Sequence, residues 1–132
     1  PYLGAGVRVT QVNENLTFIE VQMKLQFWNK NYVGTQFGGS LYTMVDPFFM
    51  MMLLHNLGRD YIVWDKSAAI RFKKPGTSTV IARFELSPEQ IEEIRTLADR
   101  EPKVEPQFQI QIIDTTGQVI AEVDKTLYVR HK

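Results

Sequence analysis

Residues 34–58 read GTQFGGSLYTMVDPFFMMMLLHNLG, and here the chain changes its rhythm. From Ser40 to Leu57 the apolar residues point in nearly every direction around a helical axis, and the run is too long for a strand. The stretch predicts one long helix, buried on most sides, opened by the Gly38-Gly39 pair and capped at its C-terminus by Gly58. Asp46 lies inside it, seven residues past Gly39. Aspartate is a weak helix former and is costly to bury without partners, so its presence needs a reason. Pro47 has no N–H and its ring meets the carbonyl of Thr43, which predicts a kink.

Around this helix the sequence alternates with period two, the signature of strands. Val7 and Val9 alternate with Arg8 and Thr10. After the turn residues Asn13 to Asn15, the apolar series Ile19, Val21, Met23, Leu25 and Phe27 alternates with polar neighbours, predicting an antiparallel pair. Ala68, Ile70 and Phe72 form a strand ended by KKPG. Val80, Ala82, Phe84 and Leu86 form the next, Val104, Phe108, Ile110 and Ile112 another. DTTG at 114–117 turns the chain into Val119, Ala121, Val123, Leu127 and Val129. Residues 88–99 predict a short helix, with Ser87 as N-cap, Pro88 as first residue and Gln90 completing a capping box. The order is two strands, a long helix, two strands, a short helix, two strands, with no linker or repeat. One domain spanning residues 1–132 is expected. Its class is α+β: the hotdog fold, an antiparallel sheet wrapped around one long central helix.

Bulk composition narrows the function. The 132 residues are 44% hydrophobic, so a sizeable core can form. Lys plus Arg and Asp plus Glu number 15 each, which gives no electrostatic case for nucleic acid. The absence of cysteine excludes thiol catalysis and disulfides. No run has the roughly 18 apolar residues of a membrane span. No charged-then-apolar leader opens the chain, and a cytoplasmic location is expected. His55 and His131 have no partner at metal-ligand spacing, so no metal site is expected.

The glycine pair before the helix has a physical use. Amides at a helix N-terminus are unpaired, the dipole there is positive, and glycines let a carbonyl come close. That arrangement is a way to stabilise the oxyanion formed when a carbonyl is attacked. Asp46 is then a candidate general base or nucleophile. Met44, Val45, Phe48 and Phe49 around it are expected to raise its pKa by desolvation, and Thr43 to orient it. Seven helical residues span about 10 Å, too far for one carbonyl carbon to meet both the Gly39 amide and the Asp46 carboxylate of one helix. If both act, the Asp comes from a second chain running antiparallel alongside, which makes an obligate dimer with shared sites.

The spacing NYVGTQFGG followed by SLYTMVD resembles the thioesterases of the phenylacetyl-CoA type in the hotdog superfamily. Asn31, Gly34, Gly38, Gly39 and Asp46 fall on that family's Asn, glycines and catalytic Asp, and Phe37 stands where those enzymes carry histidine. With DYIVWDKSA and KTLYVR, the chain is similar to a bacterial group of tetrameric acyl-CoA thioesterase-like hotdog proteins. The resemblance implies a cofactor-independent hydrolase of an acyl-CoA or acyl-carrier-protein thioester, built as a homodimer and assembled into a homotetramer. It implies catalytic roles for Asp46, Gly38, Gly39 and Asn31. Thr35, Phe37 and Thr43 are expected to bind substrate, and Arg71, Lys73 and Lys74 to meet the phosphates of CoA.

Plainer readings stand beside these. Asp46 can simply mend the Pro47 kink, the glycine pair can serve close packing, and FFMMMLLH at 48–55 can be core. Arg71, Lys73 and Lys74 can be solvated. Asp65 and Lys66 are expected to pair with each other, and Lys125, on the apolar parity, to snorkel or mark a bulge. For function, a hotdog dimer that binds an acyl group without turnover is the alternative, favoured by Phe37. A hydratase ranks last, because neither histidine is placed at the helix mouth.

Overall fold

The computed structural model describes residues 7–24, 44–45, 47–74 and 79–132. The strands are β1 (Val7–Val12), β2 (Phe18–Met23), β3 (Tyr61–Phe72), β4 (Val80–Glu85), β5 (Gln107–Asp114) and β6 (Val119–His131). The helices are α1 (Phe48–Leu57), between β2 and β3, and α2 (Pro88–Arg100), between β4 and β5. The six strands form one sheet in the order β1-β2-β4-β5-β6-β3, every neighbouring pair antiparallel. The inner face carries the alternating apolar series: Ile19, Val21 and Met23 on β2, Val80, Ala82 and Phe84 on β4, Ile110 and Ile112 on β5. Phe48, Phe49, Met52, Leu53 and Leu57 of α1 complete this core. Each such side chain stabilises the fold by about 1.5–3 kcal/mol when fully buried. This is the expected α+β architecture, a sheet around a central helix.

Local chemistry sets the element ends. Met44 and Val45 are helical, Pro47 sits in a turn as the N-cap residue, and α1 starts at Phe48. Gly58, at φ 91°, ends α1 and donates its N–H to the Leu54 carbonyl. The Ser87–Gln90 capping box is formed in both directions, at 2.8 and 3.1 Å. Tyr61 donates to Asp99 at 2.6 Å and Arg95 to the Asn56 carbonyl at 2.9 Å, pinning α2 against the C-terminal end of α1 and the start of β3. The bond to Asp99, with burial, pushes the Tyr61 hydroxyl pKa up.

Several expectations are corrected. α1 buries Phe48, Phe49, Met52, Leu53 and Leu57 and leaves Met51, Leu54 and His55 exposed along one flank, while the predicted first turn, residues 40–43, lies outside the described residues. β3 begins at Tyr61, well before Ala68, with a bulge between Asp65 and Ser67. Phe72 is exposed, as is Val9 on β1; β3 and β1 are the sheet's two edges, where a side chain lacks a neighbour on one side. Val104 makes only an isolated bridge to Val129, and β5 starts after Pro106, whose missing N–H cannot continue a ladder. The predicted positions Leu25 and Phe27 lie outside the described residues.

Candidate functional site

Seven residues assigned from sequence, Asn31, Thr35, Phe37, Gly38, Gly39, Thr43 and Asp46, lie outside the described residues. The described structure shows the frame around the start of α1. Met44 and Val45 before position 46 are fully buried, and Phe48 and Phe49 after it nearly so. Phe48 packs on Phe84 of β4, with ring centroids 5.2 Å apart. Phe49 meets Phe84 edge-on at 5.3 Å and stacks on Phe108 of β5 at 4.4 Å. Aromatic contacts of this kind add about 0.5–1.5 kcal/mol beyond area burial, so the first turn of α1 is held by rings from two strands.

Among the described residues, a buried ion pair lies on this inner face. Along β6, Val123, Lys125, Leu127 and Val129 all point inward and are buried. The Lys125 side chain is wholly enclosed, with Nζ 2.9 Å from Oδ1 of Asp65 on β3. The ammonium approaches off the hydrogen-bonding direction, so the contact is an ion pair in which Oδ1 accepts no well-directed hydrogen bond. Lys125 therefore neither snorkels nor marks the bulge, which falls at Lys66. Nor does Asp65 pair with Lys66, which reaches Glu105 instead. The bulge explains the exchange: one extra residue on β3 puts Asp65 and Lys66 to different neighbours. Phe108 is the ladder partner of Lys125, so the buried pair and the Phe49–Phe108 stack sit on adjacent strands. Sequence reasoning missed this pair, although Lys125 at an apolar parity position was its signal.

The three cations assigned to CoA phosphates are described. Arg71 pairs with Asp124 and lies 3.6 Å from Glu122, which Lys73 also meets at 3.6 Å. The guanidinium holds the Asp124 carboxyl below the usual carboxylate range, and Asp124 in turn pushes the Arg71 pKa further up. Lys73 and Lys74 both donate backbone N–H groups to the Ile120 carbonyl. The structure thus brings the three to one exposed edge, with two of them meeting carboxylates of β6. Farther along the outer face, Glu20 accepts from Thr10 and Arg83 at 2.8 Å each, and these donors lower its pKa. Among the described residues no helix is long and apolar enough to cross a membrane.

The fold is shared with solved structures. A protein of Pseudomonas aeruginosa described as a probable thioesterase superposes with a TM-score of 0.87 at 22% identity, covering 97% of this chain and 85% of that one. A Haemophilus influenzae thioesterase gives 0.70 at 16% identity over 98% and 82% of the two chains. The PaaI protein of the E. coli phenylacetic acid degradation operon gives 0.67 at 15% identity over 96% and 81%. These likenesses establish the hotdog fold for this chain. No curated protein matches it in sequence. A protein-family profile matches residues 1–129, and the chain belongs to that family, described as a domain of unknown function (DUF4442).

Proposed function

We propose that the protein is an acyl-CoA thioesterase, a single domain that acts as a homodimer with shared sites and assembles further into a homotetramer. The reading is carried by one observation: a Gly38-Gly39 pair followed at fixed spacing by Asp46, ahead of the helix at the centre of the sheet. Gly38 and Gly39 amides stabilise the oxyanion, Asn31 shares the catalytic site with them, and Asp46 of the facing chain activates water or attacks the carbonyl. Thr35, Phe37 and Thr43 contact the substrate. The solved thioesterases of the same fold support the reaction class.

Two features support pairing of chains. Met51 and Leu54, one turn apart on α1, present an apolar flank suited to a second helix. β3 is an edge strand with Trp64 and Phe72 exposed, and an edge of this kind invites a partner strand. Arg71, Lys73 and Lys74 are the cations for the CoA phosphates, which would compete with Glu122 and Asp124 for them. A cytoplasmic location fits a CoA or acyl-carrier-protein thioester as substrate.

Phe37 favours a second reading, an acyl-binding dimer without turnover, because it puts a ring where the resembled enzymes have a polar histidine. Purified protein assayed for hydrolysis of an acyl-CoA panel, beside calorimetric binding of the same panel, separates the two. Turnover supports the enzyme; binding without turnover supports the binder. A monomeric mass at micromolar concentration contradicts the shared site.

A further inference from the structure

The sheet is split over half its height. β4 and β5 pair only from Val80 to Ala82 against Ile112 to Asp114. β4 continues beside β2 as far as Glu85, and β5 beside β6 as far as Gln107, without a ladder between them. The cause lies in the connection. α2 and residues 101–106 join the two strands, and a 13-residue helix cannot be accommodated as a tight hairpin. Behind the split the core is closed by rings: Phe84 from β4, Phe49 from α1 and Phe108 from β5.

Where the split meets α2 there is a cavity of about 320 Å³. Its floor is Ile94 and Leu97 of α2 with Val104, Pro106 and Phe108. This volume is at the lower end of the roughly 300–1,000 Å³ of small-molecule sites. Phe108 is the connection that matters. Phe108 lines this cavity, and its ring stacks on Phe49, in the first turn of α1. Phe108 therefore joins the wall of the α2 cavity to the first turn of α1.

We propose that the cavity between α2 and the start of β5 receives the far end of an extended aliphatic acyl chain, and that Phe108 is the residue that sets how long a chain fits. The proposal rests on the thioester reading above. Beside the apolar residues the lining holds Gln90, Gln107, Glu93 and Glu105 and no cation, and Glu105 is met by Lys66 and Lys103, so an anion such as a phosphate or carboxylate is disfavoured and the apolar wall is left to an uncharged tail. A tail that moves the Phe108 ring aside must replace the apolar area and the ring contact that Phe108 and Phe49 bury against each other, so only a chain long enough to bury several methylene groups of its own uses the cavity. Short acyl groups end before Phe108 and do not use the cavity.

The test compares dodecanoyl-CoA with butanoyl-CoA in two variants. Leu97→Trp fills the cavity from α2, and Phe108→Ala removes the ring. Leu97→Trp is expected to lower the dodecanoyl-to-butanoyl ratio of kcat/KM by at least about tenfold, the scale of losing one methylene contact. Phe108→Ala is expected to raise that ratio; should it fail to fold, Leu97→Trp alone decides. Calorimetric binding of both thioesters is measured in parallel. If no thioester is hydrolysed, the enzyme reading fails, and the cavity is then judged by binding: weaker dodecanoyl-CoA binding in Leu97→Trp supports it. A ratio unchanged in Leu97→Trp, or no dodecanoyl-CoA binding to the wild type, overturns it.

Discussion

Lys125 Nζ stands 2.9 Å from Asp65 Oδ1 inside the sheet, on a side chain with no solvent exposure. Burying two charges costs several kcal/mol, offset by their attraction only when the geometry is good, and here the approach is off the hydrogen-bond direction. Lys125→Met leaves Asp65 without its ammonium. Because Asp65 keeps about a quarter of its side-chain exposure, the loss should fall at the low end of the ~3–5 kcal/mol seen when a buried pair is broken. Pairing it with Asp65→Leu should recover most of that. Urea unfolding of the single and double variants checks this, and a double variant no more stable than the single contradicts the ion-pair account.

Acid stability follows from the carboxylates. Asp114 Oδ1 accepts from Thr116 Oγ1 at 2.7 Å and from the Thr116 and Gln118 amides at 2.9 Å each, and these donors lower its pKa. Glu20, Glu105 and Asp124 are lowered too, by Thr10, Lys66 and Arg71 respectively as the leading causes. A carboxyl lowered in the folded state binds fewer protons there than when unfolded. Its contribution is complete above the ordinary values of 4.5 for Glu and 3.8 for Asp, and is lost as pH falls through the folded values. Tm should therefore hold to about pH 5 and fall below pH 4. In Asp114→Asn the fall should be shallower; an identical acid slope contradicts the assignment.

Much of the frame was legible because local rules and tertiary packing agree in it. The alternation in β2, β4 and β6 and the Ser87 capping box required nothing beyond neighbouring residues. The early start of β3 was hidden because its bulge shifts the parity of YIVWDKSAAIRF midway. The Asp65–Lys125 pair was hidden for the same reason, since only the bulge and the β3–β6 register reveal which carboxylate the buried ammonium meets. For the proposed site, spacing and resemblance gave candidate groups that all lie outside the described residues, apart from Arg71, Lys73 and Lys74. The ring contacts at the start of α1 and the α2 cavity depend on contacts between α1, α2, β4 and β5 that no periodicity encodes.

Phe37 decides between turnover and binding. In a weakened thioesterase, Phe37→His should raise kcat by adding a polar group that positions water or carbonyl. In a binder, the same change should leave hydrolysis at background and weaken acyl-CoA binding through lost apolar contact. Steady-state hydrolysis and calorimetry on this one variant give opposite outcomes for the two readings.

The most direct measurement is kcat of Asp46→Asn on the best thioester of the panel. The amide is isosteric, so fold, assembly and substrate binding should persist. Loss of a general base typically costs 10²–10⁴-fold, and kcat should fall by at least about 10²-fold while Kd for the acyl-CoA is retained. Wild-type turnover in this variant would contradict the account, leaving Asp46 as a residue that only repairs the helix at Pro47.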